Sequence, residues 1–114
     1  MNRLHTITDE LNGLLRCAEE MLRQLNYGVE AGIGLGDDTE LVFRKVENAW
    51  GLHVRLPNGQ TVPVLSSSRQ NRVRAAIAIP ALQDRMRVVV EEQTEHVQDA
   101  IVRLRAYLDT TSKP

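Results

Sequence analysis

Cysteine is almost absent from this chain: Cys17 stands alone among 114 residues. An intramolecular disulfide is therefore excluded, and nothing implies an oxidising compartment. A lone thiol also excludes a four-cysteine zinc cluster and C-x-x-C redox chemistry. Aromatic residues make up only 4% (Phe43, Trp50, Tyr27, Tyr107), so the core must be built mostly from Leu, Ile, Val and Ala. That composition favours helix-rich packing over an all-β sandwich. Long apolar runs are lacking as well. None approaches the roughly 20 residues of a membrane-spanning helix, and the N-terminal residues are amphipathic, unlike a secretory signal. A cytoplasmic protein without membrane contact is the expectation. A strong charge of either sign is also missing. The net charge is −1, which argues against a generic nucleic-acid footprint.

What is present is ordinary globular material. Hydrophobic residues at 42% and charged residues at 25% can support a packed core, and the length suits one domain over residues 1–114. The charge is unevenly placed. Residues 48–90 sum to +5 (six arginines against Asp84), while residues 27–47 sum to −3 and residues 91–114 to −2. Such a layout implies either pairing between segments, within a chain or between two chains, or an anion-binding surface.

Hydropathy spacing predicts a helix over 3–26. Leu4, Ile7, Leu11, Leu14, Ala18, Met21 and Leu25 follow one another at 3, 4, 3, 4, 3, 4, a heptad stripe that Leu15 and Leu22 widen. Such a width suits packing on a domain core. Thr6 or Thr8 is expected to cap the helix start, Gly13 interrupts it at a cost of about 1 kcal/mol relative to alanine, and Asn26-Tyr27-Gly28 stops it. Residues 29–65 read as an antiparallel meander of three to four strands. Val29, Ala31, Ile33 and Leu35 alternate with small or polar residues, Asp37-Asp38 turns the chain, and residues 41–46 form a second strand. Trp50, Leu52, Val54 and Leu56 alternate with Gly51, His53 and Arg55, and Pro57-Asn58-Gly59 is a hairpin turn. Pro63 places the return strand at a sheet edge.

Ser66, Ser67 or Ser68 is then expected to cap a helix over 67–79. Pro80 predicts a break or kink, and a second helical stretch runs over 81–109 before a tail at 110–114. Met86, Val90, Gln93, Val97, Ile101, Leu104 and Leu108 form its stripe at a mean period near 3.6. This stripe is expected to be buried, with Val97 and Leu104 in the core. The fold class is thus α+β: a two-layer arrangement in which an N-terminal helix and a Pro80-kinked long C-terminal helix cover one face of a small sheet.

Chemistry is thinly represented, and no catalytic residue, metal or cofactor is expected. Gly32-x-Gly34-x-Gly36 lacks the strand-before, helix-after context of a phosphate loop, so a glycine-rich strand is the plainer reading. Asp37, Asp38 and Glu40 lack calcium-loop spacing and read as a solvated turn. Glu92, His96 and Asp99 share one helix face, but no second helix offers matching ligands. His5 and His53 are solitary, and the serines at 66–68 lie in no nucleophile elbow. The one candidate binding feature is Ser67, Ser68, Arg69, Arg72 and Arg74 at a helix N-terminus, where free N–H groups and guanidinium forks can hold an anion or a nucleic-acid phosphate. Arg55, Arg85 and Arg87 could extend it. The plainer reading is that these arginines meet the acidic segments. The leading expectation is a non-enzymatic protein–protein interaction domain, homodimeric because a small sheet leaves open edges and because helix stripes can pair with a second copy. Nucleic-acid or phosphate-ligand binding is the alternative.

Overall fold

A computed structural model describes residues 2–25 and 27–112. Helix α1 (Arg3–Leu25) leads into strands β1 (Ala31–Gly36), β2 (Thr39–Val46), β3 (Ala49–Arg55) and β4 (Thr61–Pro63). A single 3-10 turn (Val64–Ser66) then delivers the chain to helix α2 (Arg69–Ser112). The four strands form one antiparallel sheet in sequence order. Asn26, part of the expected helix stop, and residues 113–114 of the expected tail lie outside the described residues.

The turns follow local chemistry. Asp37 and Asp38 both adopt positive φ (54° and 55°), as do Glu47 and Asn48 (50° and 67°). These are two-residue hairpins whose twist matches that of the flanking strands. Gly59, at φ 87°, closes the β3–β4 turn, where its N–H donates to the Leu56 carbonyl at 2.9 Å. Alternation along the strands then sorts the side chains. Ile33, Leu41 and Val54 lie abreast in register, as do Ala31, Phe43 and Leu52. Phe43 stacks on Trp50 with centroids 5.5 Å apart.

That apolar face is covered by Leu22 of α1 and by Ala75, Ile79, Leu82 and Met86 of α2, all buried in one cluster with Leu41, Phe43, Leu52, Val54 and Val64. The opposite face carries Glu40, Arg44, His53 and Arg55 beside Gly32, Gly34, Gly51 and the buried Val42. This is the expected two-layer α+β arrangement. Its edges are blunted against further strand pairing: β4 is three residues long and holds Pro63, and β1 is bulged between Gly34 and Gly36.

Several expectations are corrected. Thr6 and Thr8 lie inside α1 instead of capping it. The Thr8 hydroxyl donates back to the Leu4 carbonyl at 2.7 Å, and Asn2 Oδ1 accepts the Leu4 N–H at 2.9 Å at the start of the helix. Pro80 lies inside one continuous helix. Buried Ala75 and Ile79 before it and Leu82 and Met86 after it hold both sides of the proline on the same core, and this packing overrides the break. Helix α2 also continues into the expected tail, as far as Ser112. The α1 heptad stripe is largely uncovered: Leu4, Ile7, Leu14, Met21 and Leu25 are exposed, and the flank residues Leu15 and Leu22 are the ones buried. Gly13 has nothing within 4 Å of where a β-carbon would sit. Gly13→Ala is therefore expected to raise stability by about 0.5–1 kcal/mol in urea denaturation, and a loss of stability would mean that a close approach exists at this site.

The largest correction concerns the second half of α2. It is continuous, but it does not bury Val97 (56% exposed) or Leu104 (58% exposed), and every residue from 91 to 112 is exposed. The sheet and α1 end before this part of the helix begins. About 33 Å of helix, at 1.5 Å per residue, therefore stands clear of the core.

Candidate functional site

The serine–arginine segment forms a capped helix start, and its guanidinium groups point to different places. Ser68 Oγ accepts the Asn71 N–H at 3.1 Å as the α2 cap, while the Ser67 hydroxyl donates to the Val64 carbonyl. Arg72 turns toward α1, donating to Asn12 Oδ1 at 2.7 Å. Arg74 meets Asp37 in the β1–β2 turn at 3.1 Å, and Arg69 is exposed. Of the wider set, Arg85 is exposed and the other two are engaged within the chain. Arg55 pairs with Glu40 at 2.7 Å across the β2–β3 ladder, and Arg87 lies 3.4 Å from Asp84. The basic segment thus meets the acidic segment 27–47 at two of its carboxylates.

The other sequence candidates stay apart. Glu92, His96 and Asp99 are exposed on the projecting helix, where Asp99 pairs with Arg103 at 2.9 Å. Among the described residues no group of three or more His, Cys, Asp and Glu is placed to hold a metal ion. None of the described helices is long and apolar enough to cross a membrane. Cys17 is exposed on α1. His53 Nδ1 lies 3.0 Å from the Gly51 carbonyl oxygen on the polar sheet face. A β-carbon on Gly32 would stand 3.0 Å from the Glu40 carboxyl carbon, so the glycine admits this neighbour across the ladder.

Sequence reasoning missed a role for Glu19. Beyond the end of β4, strand β3 has no neighbour on that side, and α1 supplies one from its side chains. Glu19 Oε2 accepts the Leu52 N–H at 2.8 Å, and Arg23 Nε donates to the Trp50 carbonyl at 2.6 Å. The two side chains also pair with each other at 3.1 Å. Gly51 makes room for this, since a β-carbon there would stand 3.1 Å from the same carboxylate oxygen. An acid four residues before an arginine is too common on helix surfaces to signal such a role. Glu19→Ala would leave the Leu52 N–H unpaired and is expected to cost about 1–3 kcal/mol in chemical denaturation. Glu19→Gln, whose amide oxygen can still accept, should recover part of it.

What the structure does bring together is apolar surface. Val97, Ile101, Leu104 and Leu108 form an exposed stripe on the projection, flanked by Tyr107. At its base, Tyr27 and Val29 join Val90 and Val97 around a groove of about 290 Å3. Tyr27 is fixed there by Arg87, whose Nε donates to the phenol oxygen at 3.3 Å. This hydrogen bond holds the Tyr27 pKa below its ordinary value and raises that of Arg87. Phenolate absorbance in a Tyr107→Phe chain is expected to show Tyr27 ionising early, and Arg87→Ala should move it upward. A lowered phenol pKa adds stability above the unfolded value and loses it as pH falls through the folded one, so this contact contributes on the alkaline side.

The molecule is correspondingly extended. Its radius of gyration is 19.1 Å, against about 13 Å for a compact domain of this length. Its accessible surface is 7941 Å2, against about 6,300 Å2 for a compact monomer of this mass, an excess of about 1,600 Å2. No family model, curated protein or solved structure matches this chain.

Proposed function

We propose that this protein is a non-enzymatic protein-interaction domain that works as a homodimer, with the projecting half of α2 as its contact surface. The observation that carries this reading is the exposed apolar stripe Val97, Ile101, Leu104 and Leu108 on the half of α2, residues 91–112, in which every residue is exposed. Most helices in proteins draw their stability from packing an apolar face, and this half buries none of its residues against its own chain. The surface in excess of a compact monomer exceeds the roughly 800 Å2 per partner of a standard interface. Strand pairing is a poorer route to a dimer, because both sheet edges are blunted.

Nucleic-acid binding through Arg69, Arg72 and Arg74 has weaker support, since Arg72 and Arg74 bond within the chain and away from each other. Sedimentation at tens of micromolar, an order-of-magnitude choice above the Kd of a stable dimer, is expected to give the dimer mass, and a monomer mass there would refute the reading. A DNA and RNA shift assay at low salt is expected to show no complex. A complex that persists at physiological salt and weakens in Arg72→Ala would favour the alternative instead.

A further inference from the structure

The geometry points to antiparallel pairing of residues 90–108 with the same residues of a second copy, about a two-fold axis at Asp99; this rests on the homodimer reading above. The stripe is palindromic in its spacing. Val90, Thr94, Val97, Ile101, Leu104 and Leu108 follow at 4, 3, 4, 3, 4. Inverting the segment about residue 99 therefore sets Val90 against Leu108, Thr94 against Leu104, and Val97 against Ile101. Each layer joins an a-type to a d-type position, as antiparallel helix pairs require. Thr94 is the one polar member, and its hydroxyl is already spent on the Val90 carbonyl at 2.7 Å. That leaves its methyl group for the partner's Leu104.

Charge chooses the direction. The first half of the segment holds Glu91, Glu92 and Glu95, the second holds Arg103 and Arg105, and Asp99 lies at the centre. Antiparallel pairing brings Glu91 of one copy beside Arg105 of the other, twice per dimer, at flanking positions of the seam. Neither residue has an ion-pair partner in its own chain among the described residues. A parallel pair would set Gln93 against Gln98 and Ala100 against Arg105, leave both charges unmatched, and align the acidic halves side by side. The antiparallel register also delivers Leu108 of the second copy to the groove at Tyr27, Val29 and Val90. The alternating 4, 3 spacing is a heptad seam of period 3.5, which two helices keep over about 27 Å by coiling gently around each other.

Site-directed disulfides test this in the full chain with Cys17→Ser as background. Thr94→Cys and Leu104→Cys both lie on the exposed projection, so neither threatens the folded core. Each is oxidised alone and then after mixing under reducing conditions. A covalent dimer is expected only in the mixture, because two copies of position 94 would stand about 15 Å apart, beyond disulfide reach. Each variant cross-linking with itself would mean a parallel pair, which overturns this inference and leaves the homodimer standing. Dimer mass with no cross-link in the mixture would place the contact on another surface and equally overturn it. Monomer mass for the Cys17→Ser chain removes both readings. As a second arm, Arg105→Glu is expected to weaken the dimer Kd by about tenfold through its two repelling pairs. Adding Glu91→Arg to the same chain should restore it. A double variant no tighter than the single one would count against the register.

Discussion

Replacing Ile101 and Leu104 together by aspartate is expected to turn the proposed dimer into a monomer while leaving the sheet domain folded. Both side chains are about half exposed in the single chain and far from the core cluster, so the substitution removes nothing on which the fold depends. It does remove four apolar anchors from each dimer. At about 1.5–3 kcal/mol apiece these amount to roughly 6–12 kcal/mol, against about 8 kcal/mol for association at a micromolar Kd. The monomer should also lose helix. Residues 91–112 draw no support from their own core, so once unpaired they lose the packing from which protein helices take most of their stability. Circular dichroism is expected to show reduced helicity in parallel with the fall in sedimenting mass. The Trp50 fluorescence transition of the sheet domain should remain cooperative. Full helicity retained in a monomer would show that the projection is stable unaided, and its exposure would then imply no partner.

The second large effect lies in the core. Leu82→Ala is expected to cost about 2–5 kcal/mol, a large share of the roughly 5–15 kcal/mol that stabilises a typical domain. Leu82 is fully buried, in one cluster with Leu22 of α1, Met86 and the sheet residues Leu41 and Val54. It also lies two residues after Pro80, where the helix lacks a backbone donor and depends on packing to stay continuous. For a chain of this length the melting temperature should fall by on the order of 10–20 °C. Ile77→Ala is the control: Ile77 is 77% exposed, and its truncation should change stability by less than about 0.5 kcal/mol. Both measurements belong at one protein concentration, because a dimer's apparent stability rises with concentration. Equal effects at the two positions would mean that the helix packs through a different face.

The elements, their order and most turns were legible in the sequence because each rests on chemistry within a few residues. Asp37-Asp38 and Pro57-Asn58-Gly59 turn the chain where their side chains and backbone freedom allow. Trp50, Leu52 and Val54 alternate because one face of β3 is covered. Ser68 caps α2 because its hydroxyl reaches the Asn71 N–H. The arginine cluster was legible only as composition. Three guanidinium groups within six residues look like one patch along the chain, but successive positions on a helix face different ways. Arg72 and Arg74 consequently reach partners on opposite neighbours.

The sequence by itself determined the order of helices and strands and which faces of the helices are apolar, since these follow from local propensity and periodicity. Only the tertiary structure decided which apolar faces this chain covers for itself. Leu15 and Leu22 are inside while Leu14 and Met21 are out, and Met86 is inside while Leu104 is out. The physical reason is that an amphipathic helix carries the same pattern whether its apolar face meets its own sheet or another chain. The reach of the other elements in space settles that choice, and here the sheet ends before α2 does.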